Sequence, residues 1–198
     1  MNYILALVMG YLLGTVSASF IVGKLTKNID IRKHGSGNAG ATNTLRVLGL
    51  KAGLLVFFVD ILKGVAAVLL GRLLAGEAGG MVAGAASVAG HIWPVFLNFK
   101  GGKGVATSFG VLVVMFPAIA FIQFIVLITL VVFTRFMSLG SITAAVLLPI
   151  LLVLFGYSWL YVVYGAALAT LIVYLHKGNI ARLLAGKENK IGSKPKVK

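Results

Sequence analysis

Long apolar runs fill most of the chain, and short polar stretches interrupt them. The apolar blocks are residues 2–23, 52–75, 79–97, 105–134, 140–156 and 158–175. The runs are continuous, as in ITAAVLLPILLVLF at 142–155, whereas a transmembrane β-barrel needs alternating apolar and polar positions. We therefore predict an all-α membrane protein made of spanning helices.

The block at 105–134 decides the number of spans. A helix of this length would extend about 45 Å, whereas the hydrocarbon core of a bilayer is about 30 Å thick. Pro117 lies inside the block, where proline interrupts a helix. Division at Pro117 gives seven transmembrane helices, with the N-terminus outside and the C-terminus cytoplasmic. One long span would instead place Arg135, Lys177 and the basic tail outside, against the positive-inside rule.

This topology puts short interfacial helices or loops on the cytoplasmic side. The first apolar run lacks a basic start and is followed by Lys24 and Lys27, so we expect a retained span and not a cleaved signal peptide. Residues 1–198 then form a single polytopic membrane domain, and residues 186–198 are its basic cytoplasmic tail. The lysines at the end of this tail are expected to lie on anionic lipid.

The amino-acid composition limits the kinds of ligand and reaction that the protein can have. Hydrophobic residues make up 60% of the chain, charged residues 11%, and the net charge is +14. In a membrane protein this excess reflects cytoplasmic loops facing anionic lipid, and there is no basic soluble domain to bind nucleic acid. The absence of cysteine excludes disulfides, cysteine zinc sites and a thioester acyl-enzyme. Scattered acids and separated histidines form no metal-ligand cluster, so no metal and no cofactor are expected.

Polar segments at 35–46, 91–107 and 176–194 carry the candidate chemistry, and the predicted topology places all of them on the cytoplasmic side. Polar residues at a bilayer edge are costly unless they have a function. Glycine N–H groups with Lys and Arg are typical of phosphate binding. Residues 35–40 match a dinucleotide fingerprint, but no strand precedes them and Asp60 lies in an apolar run. Gly104 after Lys103 excludes a P-loop.

In the first two segments the candidates are backbone donors, small polar side chains and cations. A helix-capping loop is the alternative for the first segment, and lysines reaching lipid phosphate are the alternative for the second. The glycines of the second segment are expected to expose N–H donors at a helix N-terminus. The candidate substrate-binding residues are Ser36, Gly37, Asn38, Thr42, Asn43, Arg46, Lys100, Gly101, Gly102, Lys103, Gly104 and Thr107.

The third segment places His176, Asn179 and Arg182 on one helix face, and Glu188 follows them. Ser141, which begins a span at the cytoplasmic edge, either caps its helix or donates to the site. Three further residues have two open interpretations. Asp60 and Lys63 are an intramembrane pair with a functional or a structural role, and His91 alone is more typical of a packing histidine.

Taken together, these sequence segments resemble those of the PlsY family of bacterial integral-membrane acyltransferases. The resemblance covers essentially the whole chain and rests on GSGNAGATNTLR, DILKG, HIWPVFLNFKGGKGVAT and HKGNIARLLAGKENKIGSK in this order. Ala39 departs from the proline that the family often has after the asparagine. The resemblance implies glycerol-3-phosphate 1-O-acyltransferase activity with acyl phosphate as donor, giving lysophosphatidic acid at the cytoplasmic face of the inner membrane. In agreement, no histidine begins the His-x-x-x-x-Asp dyad common in acyltransferases that use acyl-CoA or acyl carrier protein.

The partners expected on this basis are glycerol 3-phosphate, acyl phosphate and membrane lipids, with the protein acting as a monomer. We predict catalytic contributions from Ser36, Lys103, His176 and Asn179. The base is either His176 or a phosphate oxygen of a substrate, and we favour the substrate-assisted route. A transporter for a phosphorylated solute is the alternative, but it would need polar groups through the membrane, whereas the outer halves of the spans are apolar.

Overall fold

The computed structural model describes residues 1–192, and within this range it consists of helices, turns and loops without strands. The prediction of an all-α protein is confirmed. The chain forms two compact units, of which one comprises Met1–Met115 and the other begins at Phe116. The prediction that the lysines at the end of the basic tail bind lipid concerns Lys194, Lys196 and Lys198, which lie outside the described residues.

The first unit contains α1 (Asn2–Thr15), α2 (Ala18–Lys27), α3 (Ala41–Leu48), α4 (Leu50–Ile92) and α5 (Val105–Met115). Short 3₁₀ turns at Ile31–Lys33 and Val95–Leu97 lie in its loops. Between α1 and α2 the backbone is extended at Val16, where ψ is 102°. Extended backbone here frees the Val16 carbonyl from a helical bond, so another group is needed to satisfy it.

Helix α4 is a hairpin whose two arms run side by side. Gly76 has a φ of 64°, a left-handed conformation that glycine adopts without strain, and the helix reverses there. In a straight helix Gly71 and Gly79 would lie about 12 Å apart. Here a Cβ atom added to either glycine would clash with the carbonyl oxygen of the other. Residues 50–74 are called the first arm below, and residues 77–92 the second arm.

The second unit contains α6 (Pro117–Thr134), α7 (Met137–Leu154), α8 (Trp159–Leu175) and α9 (Lys177–Leu184). The break predicted at Pro117 is confirmed, because α5 ends at Met115 and proline occupies the first turn of α6, where its missing N–H has no cost. Helices α8 and α9 meet at a bend of 60°. This bend places the residues after His176 on a helix of their own.

Within residues 1–192, 4 helical stretches can cross a membrane by length and composition, or 5 if the bent pair α8–α9 counts as one span. This confirms a multi-pass membrane protein. The hairpin α4 enters this count as one stretch, Leu50–Leu97, and α5 is shorter than a full span. The predicted seven spans and their orientation therefore stay predictions.

Candidate active site

The loop at residues 35–40, called the first glycine loop, is built around Asn43. The Ser36 N–H donates to Asn43 Oδ1 over 2.8 Å, and Asn43 Nδ2 donates to the carbonyls of Ile31 and His34 over 3.1 and 3.0 Å. Asn43 itself is buried. Because its amide is used in these bonds, Asn43 shapes the loop, which is a different role from the predicted contact with substrate.

The first glycine loop leads directly into the N-terminus of α3. Its Gly40 N-cap provides no side-chain hydrogen bond, so the first-turn N–H groups of α3 have no partner from a capping side chain. Ser36 and Gly37 are exposed, and Asn38 and Thr42 are half-buried. Arg46 lies one turn after Thr42 on α3 and is also half-buried. These candidates therefore stay together around one helix N-terminus.

Residues 100–104, called the second glycine loop, differ from the prediction in one respect. The N–H groups of Gly101 and Gly102 donate to the carbonyls of Ile92 and His91, both over 3.1 Å. The prediction that these two groups are exposed donors is wrong, because they close the turn that follows α4. A Cβ atom at Gly101 would clash with the His91 carbonyl oxygen, so the glycine is required by close packing.

The end of the second glycine loop, unlike Gly101 and Gly102, retains features that favour an anion. Gly104, with a φ of 76°, starts α5 by accepting a 2.7 Å bond from the Ser108 N–H. Thr107 is fully buried in the first turn of α5, and in residues 1–192 its hydroxyl has no hydrogen-bond partner. Lys103 is half-buried and Lys100 is exposed. A helix N-terminus flanked by lysine favours an anion.

The two glycine loops lie against each other. A Cβ atom added to Gly102 would approach the Ala39 carbonyl oxygen to 2.6 Å. Ala39 lies two residues before α3 and Gly102 three residues before α5. The N-termini of both helices therefore begin close to one junction, and their partial positive charges add there.

Asp30 and Arg32 connect the segments that carry the two loops, and the sequence did not indicate this pair. Arg32 binds Asp30 through Nε and Nη2, over 3.0 and 2.8 Å, and its Nη1 donates to the Leu97 carbonyl over 2.8 Å. Its guanidinium also lies over the Phe20 ring, 5.2 Å from the centroid. The only sequence signal is the Asp-x-Arg spacing, which is common in surface loops. The pair holds the turn at residues 95–100 against residues 30–32, just before the first glycine loop.

The side-chain hydrogen bond from Arg32 lowers the pKa of Asp30 to about 2. The unfolded value is about 3.9, so the stabilisation is fully present above about pH 4 and is lost as the pH falls through about 2. Asp30→Asn should therefore lower the melting temperature at pH 7, and its difference from the native protein should shrink toward pH 2. Thermal melts across this range check the prediction, with Glu77→Gln as a control that shows no deficit at pH 7. An unchanged melting temperature at pH 7 would contradict it.

Asp60, Lys63 and His91 meet inside the first unit, below the second glycine loop. Lys63 Nζ lies 2.8 Å from Asp60 Oδ1 and 2.7 Å from His91 Nδ1. All three residues are buried. Asp60 and Lys63 come from the first arm of α4 and His91 from the second, so the chain of contacts also holds the hairpin closed. Because these residues do not reach solvent, their position does not support a direct role in binding a soluble substrate.

The candidates of the second unit gather around Glu188. Its Oε1 accepts hydrogen bonds from Ser138 Oγ over 3.0 Å and from Asn179 Nδ2 over 2.7 Å, and its Oε2 accepts from Arg182 Nε over 2.7 Å. The carboxylate side chain is only 3% exposed, whereas Arg182 is 42% exposed. Glu188 therefore orients Asn179 and Arg182, and Ser138 is a member that the sequence did not indicate.

His176 lies at the bend between α8 and α9 and is buried. Its Nδ1 is 2.8 Å from the Ile172 carbonyl oxygen. A carbonyl only accepts, so Nδ1 carries a proton and the neutral ring presents Nε2 as an acceptor. Ser141 Oγ donates to the Met137 carbonyl of its own helix over 2.9 Å, which leaves the oxygen lone pairs for another donor.

Comparison with known proteins identifies the family. A family model described as glycerol-3-phosphate acyltransferase matches residues 4–186. The glycerol-3-phosphate acyltransferase of Thermoanaerobacter sp. (strain X514) is 48% identical over 198 residues, which is 100% of both chains. This chain belongs to the glycerol-3-phosphate acyltransferase family. Glycerol-3-phosphate acyltransferase 2 of Moorella thermoacetica (strain ATCC 39073 / JCM 9320) is 46% identical over 97% of this chain and 99% of the relative.

Two solved structures resemble the acyltransferase over nearly its whole length. Both are described as PlsY (YgiH), an integral membrane glycerol 3-phosphate acyltransferase, in a glycerol 3-phosphate form and a lysophosphatidic acid form. Their TM-scores are 0.92 and 0.89, with 40% identity over 97% of this chain and 96% of the other. The predicted PlsY family and acyltransferase activity are confirmed, and so is the membrane-embedded helical fold.

Proposed function

We propose that this acyltransferase moves a fatty acyl group from acyl phosphate to the 1-hydroxyl of sn-glycerol 3-phosphate. The products are lysophosphatidic acid and inorganic phosphate, formed at the cytoplasmic face of the bacterial inner membrane by a single polytopic domain acting as a monomer. The observation that carries the proposal is the junction of the two glycine loops, where α3 and α5 both begin. Phosphate groups are the anions that such paired helix N-termini hold best.

The chemistry of the donor fits the groups that the chain offers. Acyl phosphate is a mixed anhydride whose phosphate leaves readily, so catalysis needs positioning and charge stabilisation more than an activated nucleophile. The chain has no cysteine to form a thioester intermediate. The solved relatives described as glycerol 3-phosphate and lysophosphatidic acid forms support the acceptor and the product.

The roles of the candidate residues follow from their chemistry. We assign the acyl-phosphate head to the two glycine loops and the first turns of α3 and α5, with Lys100, Gly101, Gly102 and Asn43 as shaping or peripheral residues. The residues assigned to the acyl-phosphate head are Ser36, Gly37, Asn38, Thr42, Lys103, Gly104 and Thr107. Those assigned to glycerol 3-phosphate are Arg46, Lys103, Ser141, His176 and Arg182. Glu188 orients Asn179 and Arg182.

The proton of the attacking hydroxyl goes to a phosphate oxygen in this proposal. A phosphate monoester has its second pKa near about 6, so its dianion accepts a proton at neutral pH. Neutral His176 presents Nε2 as an acceptor and orients the hydroxyl by a hydrogen bond. His176 is the alternative acceptor of this proton.

The direct test is acyl transfer to radiolabelled glycerol 3-phosphate by the purified protein without added metal. The donors are palmitoyl phosphate, palmitoyl-CoA and palmitoyl carrier protein. Transfer from palmitoyl phosphate alone is the expected result. Transfer from palmitoyl-CoA or the carrier protein at an equal rate would overturn the donor assignment. No transfer from any donor, in protein that binds glycerol 3-phosphate, would favour the transporter.

We also propose the seven-span topology, with the N-terminus outside, on the basis of the positive-inside rule. The α4 hairpin and the break at Pro117 support it, since each divides a long apolar stretch into two helices. The absence of cysteine makes labelling of single cysteines free of background. In intact cells a membrane-impermeant maleimide should label Glu77→Cys, whereas Lys27→Cys and Lys187→Cys should react only after the membrane is opened. The reverse pattern would contradict the orientation.

A further inference from the structure

The buried chain of Asp60, Lys63 and His91 is completed by a backbone group. Lys63 Nζ donates to the Val16 carbonyl oxygen over 3.0 Å, at the extended residue between α1 and α2. An ammonium has three N–H donors and no acceptor. Lys63 Nζ is hydrogen-bonded to His91 Nδ1 and the Val16 carbonyl, and it forms an ion pair with Asp60 Oδ1. Lys63 is therefore held by three groups of the first unit.

The ammonium of Lys63 determines the tautomer of His91. Because Lys63 only donates, Nδ1 of His91 accepts in this contact, and a neutral ring then carries its proton on Nε2. Nε2 lies against the second glycine loop, since a Cβ atom added to Gly102 would clash with it. The same added atom would approach the Ala39 carbonyl oxygen to 2.6 Å. The Nε2–H donor thus lies at the junction of the two glycine loops.

We propose that Asp60, Lys63 and His91 form a positioning chain that holds the Nε2–H group of His91 at this junction and so fixes the spacing of the two phosphate-binding loops. Asp60 neutralises Lys63, Lys63 fixes the His91 tautomer, and His91 supports Gly102 beside Ala39. The residues act through the loops and are positioning residues. The inference rests on the proposed function in one respect, that the two loops bind substrate phosphate.

Two amide variants of His91 separate this role from packing. The amide nitrogen of His91→Gln reaches the position of Nε2 and keeps a donor there, whereas the amide of His91→Asn reaches only the position of Nδ1. Both variants remove the ring. We expect His91→Gln to keep the KM for substrate within about threefold. His91→Asn should raise it about tenfold, because the donor at the junction of the two glycine loops is lost. Equal KM values in both variants, with equally lowered melting temperatures, would show a packing role only and overturn the proposal.

Lys63→Met tests the tautomer assignment. Without Lys63, a neutral His91 can place its proton on Nδ1, which lies 3.4 Å from Asp60 Oδ1, and Nε2 then stops donating. KM should therefore rise about tenfold in Lys63→Met. The double variant Lys63→Met/His91→Gln keeps an amide donor at the position of Nε2, so its KM should return toward the native value. A native KM in Lys63→Met, or no recovery in the double variant, would overturn the tautomer assignment.

The variants are assayed with whichever acyl donor the native protein uses, so an error in the donor assignment leaves this test intact. Equilibrium dialysis with labelled glycerol 3-phosphate and with inorganic phosphate gives a readout that needs no turnover. At least one of the two ligands should bind about tenfold more weakly to His91→Asn than to His91→Gln. This result supports the positioning chain even if acyl phosphate fails as donor. Equal affinities for both ligands in the two variants would overturn it, whatever the donor proves to be.

Discussion

Glu188→Gln should nearly abolish acyl transfer and clearly destabilise the protein. The carboxylate accepts hydrogen bonds from Ser138, Asn179 and Arg182, and a carboxamide has only one oxygen for these donors. Its NH₂ group would face either the Arg182 guanidinium or the Ser138 and Asn179 donors. Removing one partner of a buried, charge-assisted network costs about 2–4 kcal/mol of folding free energy. Displacement of Asn179 and Arg182 should lower kcat/KM by about 100-fold or more.

A matched control comes from an acid in the first unit. Glu77 also pairs with an arginine, Arg72, but its side chain is 61% exposed, whereas that of Glu188 is 3% exposed. An exposed pair contributes about 0–1 kcal/mol, so Glu77→Gln should leave activity and melting temperature nearly unchanged. Thermal melts and steady-state kinetics on both variants make the comparison. A native kcat/KM in Glu188→Gln would contradict a role of the Glu188 cluster in acyl transfer.

His176→Ala should slow the reaction strongly without changing the high-pH side of its rate profile. If His176 only orients the acceptor hydroxyl through Nε2, its loss removes a hydrogen bond and a positioning contact. The expected decrease in kcat is about 10²-fold, at the low end of what general acid–base groups contribute. The substrate phosphate still accepts the proton, so the rate of the variant as a fraction of the native rate should be the same at high pH as at neutral pH.

The control for His176 is His34→Ala. His34 is exposed, and its hydrogen bonds within residues 1–192 use its backbone N–H and carbonyl, which alanine retains. Its kcat should stay near the native value. Complete loss of turnover in His176→Ala, with glycerol 3-phosphate binding intact, would identify His176 as the general base and contradict the substrate-assisted route.

The helical elements were predictable because the chain has continuous apolar runs with few interruptions. The break at Pro117 followed from the missing N–H of proline, and the structure places a helix boundary there. The reversal of α4 at Ala75 and Gly76 lies at the predicted gap between the apolar blocks 52–75 and 79–97. The close contact of Gly71 with Gly79, which brings the two arms together, depends on tertiary packing and was not predicted.

The candidate site was predictable in residue type but not in detailed role. Glycine, lysine and asparagine marked the segments that form the two glycine loops and the Glu188 cluster, because such residues are costly at a bilayer edge. The sequence could not show that the N–H groups of Gly101 and Gly102 are used by the carbonyls of Ile92 and His91, since this depends on how the turn closes. The same holds for Asn43, which a pattern cannot separate from an asparagine that faces substrate. Long-range partners such as Arg32 with Leu97 leave no local signal.

Direct transfer from acyl phosphate is tested by following the donor phosphate. Purified protein is given palmitoyl phosphate labelled with ³²P and glycerol 3-phosphate labelled with ¹⁴C, and both products are counted over time against a protein-free control. We expect ³²P-labelled inorganic phosphate and ¹⁴C-labelled lysophosphatidic acid in equal amounts, with no protein-dependent phosphate release when glycerol 3-phosphate is omitted. Protein-dependent phosphate release without acceptor, or lysophosphatidic acid that forms without matching phosphate, would contradict direct transfer from acyl phosphate.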